Sequence, residues 1–188
     1  LARLEQKQQQ IQEDFAFIAE CNIGGESMSE QQIARLYMIA QQTWVRHLDD
    51  RLGVSQLELD RFPHPPPELP LTERLLDDKP EHRIPRHQDD DYNRNSTEVF
   101  PIPVPIDRYH LGELHNLSIR RGTLTQEERY IINEHIIGTI RMLEALPFPE
   151  CLSRIPEYAG THHETLDGTG YPRRLEAHEL SIPARIMA

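Results

Sequence analysis

The segment GTHHETLDGTGYP, residues 160–172, gathers into one short stretch the residue types that do chemistry. His162 and His163 set two imidazoles side by side. Glu164 follows, and Asp167 precedes a turn built on Gly168, Gly170, Tyr171 and Pro172. Imidazole suits zinc, iron, manganese and nickel. Adjacent residues on a helix diverge by about 100°, so the pair is placed to serve two neighbouring metals, or one metal and one group beside it. A surface pair of histidines has the same spelling. Asp167 is placed to accept hydrogen bonds from turn amides, Gly168 and Gly170 permit positive φ, and Pro172 fixes the exit. Such a turn holds Tyr171 in place and exposes backbone N–H groups that suit an anion; the alternative is an ordinary surface turn. Upstream, His135 shares a helix face with Ile131, Ile132, Ile136 and Thr139 and is expected to point inward. It is either a core histidine with one hydrogen-bond partner or a third ligand, since buried metal sites in helical bundles draw their ligands from separate helices.

The elements that must position these residues follow from the spacing. Thr125 and Glu128 form a capping box that opens a helix running to about residue 146, with Ile132, Ile136, Thr139, Leu143 and Leu146 on its apolar face and Pro147 and Pro149 after it. Pro156, suited to a first helical turn, starts a helix expected to carry Tyr158, Ala159, His162 and His163. ELSIPARIMA opens a last helix. Before them, residues 1–19 read as a helix with Leu4, Ile11, Phe15 and Ile18 along one face. Ser29 and Gln32 form another capping box, and a helix from about 30 to 48 is expected to bury Ile33, Leu36, Ile39, Ala40, Trp44 and Leu48. Ten of the fifteen prolines fall between 62 and 105, so that stretch is an extended connection with one short helix near LTERLLDD, and its polar run RHQDDDYNRNSTE is suited to partial disorder. No segment reads as a strand. The expected class is all-α with long loops, divided into a helical part at 1–61, a proline-rich connection at 62–106 and the chemistry-bearing part at 107–188.

Composition removes several classes. The net charge of −11 argues against binding a DNA or RNA polymer through a basic surface. No apolar run is long enough to span a bilayer, and the first ten residues, LARLEQKQQQ, lack the apolar centre of a signal peptide. Cys21 and Cys151 lie far apart and suit a reducing cytoplasm. The missing initiator Met leads us to expect an internal piece of a longer protein. His64, His82 and His87 read as solvated loop residues, His178 as surface, His115 as ambiguous, and Trp44 as core or interface.

Taken in order, an inward His135, then HHE, then DGTGYP, resembles the HD-GYP family, bacterial metal-dependent phosphodiesterases that hydrolyse cyclic di-GMP. The family signature HHExxDGxGYP fits residues 162–172 throughout; GTLTQEER with His135, and LSIPARIMA, resemble its flanking segments, so the likeness covers roughly 115–188. Residues 1–114 resemble the long insertion of one subgroup. The resemblance implies part of an HD-type helical bundle. It implies that His135, His162 and His163 are ligands of two or three divalent ions, iron or manganese, which neutralise charge on a phosphate and make hydroxide available near neutral pH. It makes Asp167, with His162 and His163, part of the catalytic set. Gly168, Gly170, Tyr171 and Pro172 become the loop that shapes the substrate pocket. Arg185 becomes a phosphate contact or a structural ion-pair residue, and Glu164 an orienting group. The implied partners are a cyclic dinucleotide, a second copy and an upstream sensory domain. The sequence departs from the family in having no His-Asp dipeptide; that pair is expected upstream of Leu1 and a further Asp ligand beyond Ala188. The rival reading is an inactive module that binds the nucleotide or docks a partner. A related phosphohydrolase acting on another nucleotide fits the signature less well.

Overall fold

The computed structural model describes residues 2–87 and 100–188. It is mainly helical. The described residues divide into two compact units, one of residues 2–84 and 109–125, the other of 85–87, 100–108 and 126–188. Most of the polar run RHQDDDYNRNSTE lies outside the described residues.

The first unit contains α1 (Ala2–Ile23), β1 (Gly25–Ser27), α2 (Glu30–Ala40), β2 (Thr43–Arg46), α3 (Gln56–Leu59), β3 (Leu71–Arg74) and a 3-10 turn at Pro80–His82. The chain passes between units in β4 (Arg83–Pro85) and β5 (Asp107–His110), and the first unit finishes with α4 (Glu113–Leu117) and β6 (Arg121–Gly122). Phe17, Leu36, Ile39 and Leu117 form its core, with Ile18, Cys21, Leu76 and Leu114 packed around them.

Three expectations fail here for physical reasons. The apolar stripe assigned to α1 is not the buried one: Leu4, Ile11 and Phe15 are exposed, and Asp14 and Phe17 are buried. Asp14 explains the rotation, because its carboxylate accepts hydrogen bonds from Gln42 Nε2 at 2.9 Å and Gln10 Nε2 at 3.0 Å and lies 3.6 Å from the Arg35 guanidinium. That polar anchor sits beside Phe17 and turns the helix about its axis. The helix opened by the Ser29–Gln32 capping box stops at Ala40, not 48. Ile33, Leu36, Ile39 and Ala40 are buried as expected, but Trp44 lies in a strand and is 46% exposed, and Leu48 is exposed as well.

The third correction concerns strands, none of which were expected. β2 pairs antiparallel with β3, matching Thr43 with Arg74, Trp44 with Glu73, Val45 with Thr72 and Arg46 with Leu71, where a short helix was expected. β-Branched and aromatic residues favour that pleated ladder. An ion network ties it down: Arg46 reaches Glu73 at 3.0 Å and Asp50 at 3.1 Å, and Lys79 reaches Asp50 at 2.9 Å and Glu73 at 3.0 Å. Two cations and two carboxylates balance, so the Arg46 side chain is tolerated at 8% exposure. Elsewhere β1 pairs antiparallel with β6, with Gly25 facing Gly122.

The second unit contains α5 (Gln126–Glu144), a 3-10 turn at Glu150–Leu152, α6 (Ile155–Gly160) and α7 (Ile182–Met187). Its core is Phe100, Ile136, Ile137 and Ile140, with Ile102 and Tyr171 packed against it. α5 also sits in a different rotation from the one expected. Tyr130, Ile136, Ile137 and Ile140 face inward, whereas Ile132 and Leu146 are each 50% exposed. Gly160 brings α6 close to α5: a Cβ there would lie 2.9 Å from Ile140 Cγ1. α7 begins where expected, with Ser181 as its N-cap and Pro183 in its first turn.

Candidate metal centre

His135 stands on α5 and is exposed, not inward as expected. With Ile137 and Ile140 turned to the core, the helix carries His135 to the edge of that face, where its ring is open to the segment after α6. His162 and His163 are not on a helix. α6 ends at Gly160, and both histidines occupy the turn that follows. The expected 100° divergence therefore does not apply. The turn folds the two rings to a centroid separation of 4.0 Å and sets them 6.3 and 5.1 Å from the His135 ring.

One ligand atom from each of the three rings lies within 4.8 Å of the others, the one such cluster among the described residues. Backbone carbonyls fix the ring orientations. His162 Nδ1 lies 2.7 Å from the Ala159 carbonyl oxygen, and His135 Nδ1 contacts the Ile132 carbonyl oxygen. A carbonyl only accepts, so each Nδ1 carries the proton and each Nε2 presents a lone pair. A ring oriented by a bond from its other nitrogen is the usual condition of a metal-binding histidine. His163 Nε2 sits 3.2 Å from His135 Nε2. Two imidazole nitrogens about 2.0–2.1 Å from one tetrahedral ion stand about 3.3 Å apart, so this spacing suits a shared ion. Burial, then the neighbouring His162 and His135, push His163 below the ordinary imidazole value. Its neutral, ligating form is thus favoured at pH 7. The donor set fits a divalent transition metal.

The turn after the histidines is built by a few side chains. Asp167 Oδ1 accepts from Thr165 Oγ1 at 2.6 Å, Thr169 Oγ1 at 2.7 Å and Thr169 N at 3.1 Å. These bonds, the threonine hydroxyls first, hold its carboxyl at about 2. Asp167 therefore accepts from a turn amide as expected, and its ligand atoms are not part of the three-histidine cluster. Gly168 has φ +73°, which glycine adopts freely. Gly170 serves another purpose than the expected positive φ. A Cβ on it would lie 2.4 Å from Glu164 Cα and 2.4 Å from Thr165 N, so only glycine lets the two sides of the loop touch.

Tyr171 closes the loop on His163. Its N–H donates to the His163 carbonyl at 3.1 Å, and its ring stacks on the His163 ring at 4.7 Å between centroids and 12° between planes. Burial raises its phenol pKa. Pro172 is fully buried behind it. Arg185 is exposed on α7, and its Nε donates to the Leu180 carbonyl at 2.9 Å, a local bond that holds the start of its own helix.

Glu164 is the residue whose weight the sequence understated. It is 1% exposed, and its two carboxylate oxygens accept from Arg173 N at 2.7 Å and Leu175 N at 2.9 Å. A charged residue followed by a glycine-rich turn carries no signal of such burial. Arg173, also unassigned from sequence, has its guanidinium 5.4 Å from the Phe100 ring centre and 3.7 Å from Glu144. Among the described residues the cluster takes in no other histidine. His82 Nδ1 accepts from Lys79 N at 3.1 Å, His110 and His115 stack at 4.0 Å, and His178 lies 3.4 Å from Glu176 on the surface. Both cysteines are free, and among the described residues no helix is long and apolar enough to cross a membrane.

A family model described as an HD domain matches residues 70–188. The chain is similar to a 3'3'-cGAMP-specific phosphodiesterase 1 of Vibrio cholerae, 35% identical over 83 residues, covering 43% of this chain and 19% of that one. A cyclic di-GMP phosphodiesterase of Thermotoga maritima is 37% identical over 93 residues, covering 49% and 25%. A cyclic di-GMP phosphodiesterase of Vibrio cholerae is 38% identical over 106 residues, covering 50% and 21%. The chain thus spans about a fifth to a quarter of the length of these curated relatives. No solved structure matches it.

Proposed function

Because the chain belongs to the HD domain family, we propose that it carries part of the metal centre of a cyclic-dinucleotide phosphodiesterase, acting on cyclic di-GMP to give linear pGpG or GMP. The observation that carries this reading is the convergence of His135, His162 and His163, two of them with Nδ1 held by a backbone carbonyl. Those three residues would hold iron or manganese, as part of a centre of two or three ions. Divalent metal bound there supplies Lewis-acid stabilisation of charge on a phosphate and lowers the pKa of bound water.

The chain's own residues do the rest. His163, depressed by burial, stays neutral and keeps its lone pair forward. The loop of Gly168, Gly170, Tyr171 and Pro172 forms one wall beside the histidines, and the Tyr171 hydroxyl is offered to the dinucleotide. Asp167 gives its Oδ1 to the turn and serves the reaction by shaping that wall. To linear pGpG one water adds across one P–O bond and the ribose oxygen leaves with a proton; to GMP a second water cleaves the remaining linkage in the same way. Residues 1–61 and 62–106 are read as an insertion in an HD-type bundle whose chemistry-bearing part is 107–188. A cytoplasmic setting, a second copy and an upstream sensory domain complete the proposal.

The test is an anaerobic assay of the intact protein with cyclic di-GMP and with 3'3'-cGAMP, separating linear products by chromatography. Conversion of cyclic di-GMP supports the reading, and conversion of 3'3'-cGAMP alone moves the substrate. Tight binding without conversion selects the inactive binding module, and neither binding nor conversion overturns the proposal.

A further inference from the structure

Glu164 lies next to a histidine of the cluster, yet neither of its oxygens belongs to that cluster. Both are spent on the backbone N–H groups of Arg173 and Leu175, the residues at which the loop returns after Pro172. On the other side of the loop, Gly170 passes against the Glu164 backbone so closely that a methyl group would not fit. Between these two fixed points stands Tyr171, with its amide on the His163 carbonyl and its ring on the His163 ring. Glu164 is thus the pin of a closed circuit: His163 to Glu164 by the chain, Glu164 to Arg173 and Leu175 by hydrogen bonds, then back through Tyr171 to His163 by a stack.

We infer that Glu164 is a positioning residue: its buried carboxylate holds the 170–175 return in place and thereby fixes the plane of the His163 ring through Tyr171. The carboxylate is suited to this, because it offers acceptors only and both of its partners are donors. A buried charge with fewer bonds would be costly, so the circuit is held as a unit. His163 has a particular need of such support. The Nδ1 atoms of His135 and His162 meet backbone carbonyls, whereas the packed Tyr171 ring is what faces His163. This inference rests on the functional reading only in taking His163 to be a ligand.

The experiment uses Glu164→Gln, Tyr171→Leu and the double variant of this chain, each checked for unchanged helical circular dichroism. Glutamine keeps the shape and turns one acceptor into a donor that faces an N–H. In metal-free protein, the His163 ring protons feel the ring current of Tyr171, and their chemical shifts report the stack directly. The expected result is loss of that ring-current shift in Glu164→Gln as in Tyr171→Leu. In titrations with Co2+, each single variant should bind about tenfold more weakly, the scale of supporting-group losses at metal sites. The double variant should lie within about twofold of the weaker single one, because both act through one circuit. Wild-type His163 shifts in Glu164→Gln would overturn the inference, as would single effects that multiply in the double variant. If the wild type takes up no Co2+, the functional reading falls, and the metal-free shifts alone decide the role of Glu164.

Discussion

The ring of Tyr171 lies 4.7 Å from that of His163 and within 12° of parallel, and the Tyr171 amide donates to the His163 carbonyl. The tyrosine has two separable parts: a ring that packs on a histidine and a hydroxyl to which the proposed function gives the dinucleotide. Tyr171→Phe keeps the ring. It should leave metal affinity unchanged and raise the KM for the dinucleotide by up to about tenfold, the value of one neutral hydrogen bond. Metal titration beside steady-state kinetics on the intact protein checks this, and a variant that loses its metal would contradict it.

The two glycines that flank the chemistry should respond in opposite directions. Gly170→Ala places a methyl 2.4 Å from the backbone of Glu164 and Thr165, and backbone cannot swing aside. A loss of about 3 kcal/mol is expected. Gly138 lies inside α5, and a Cβ added there would meet nothing within 4 Å. Gly138→Ala should therefore stabilise the chain by about 1 kcal/mol through helix propensity. Urea unfolding of both variants tests the pair.

Asp167 gives a pH prediction. Its carboxyl is held at about 2 by the Thr165 and Thr169 hydroxyls and the Thr169 amide, below the ordinary value of about 3.9. A depressed carboxyl contributes stability that is fully present above about pH 4 and is lost as the pH falls towards 2. A carbon-13 NMR titration of the side chain should find a midpoint near 2. In Thr165→Val with Thr169→Val it should move up towards the ordinary value; an unmoved midpoint would deny that the hydroxyls are the cause.

The ion network of the first unit should be worth more than surface pairs. Burial pushes the Glu73 carboxyl up, but hydrogen bonds from Arg46 and Lys79 outweigh it and leave it below the ordinary range. Glu73→Gln leaves two cations facing Asp50 alone. The expected loss is about 2 kcal/mol, less than for a fully buried pair because Asp50 and Lys79 keep some access to water. Thermal unfolding within the range of surface substitutions would contradict this.

What could be read in advance followed the range of the interactions. The Ser29–Gln32 box is local, and its helix began where the pattern placed it. The glycine turn is local too, and Asp167 accepts from its amide as anticipated. Helix rotation is not local. α5 carries Ile131, Ile132, Ile136 and Ile137, so two apolar stripes one residue apart are equally available, and only the packing partners Phe100, Ile102 and Tyr171 choose between them. α1 was turned by Asp14, whose partners Arg35 and Gln42 lie one helix away. The β2–β3 hairpin pairs Trp44 with Glu73 across a long connection, and within β2 alone the helical period of the preceding residues simply continues. In the site, the residue types were legible and their supports were not: Glu164 is pinned by amides of residues 173 and 175, which no side-chain pattern announces.

Whether His135, His162 and His163 hold metal is decided by the metal content of the chain and of His162→Ala, both purified without oxygen and measured by mass spectrometry. His162 is half-buried in a turn outside any helix, so the variant should keep its helical circular dichroism. Bound iron or manganese is expected in the wild type and is lost in the variant, with turnover by the intact protein abolished by the same substitution. Equal metal in both, or none in the wild type, would contradict the assignment of His135, His162 and His163 as a metal centre.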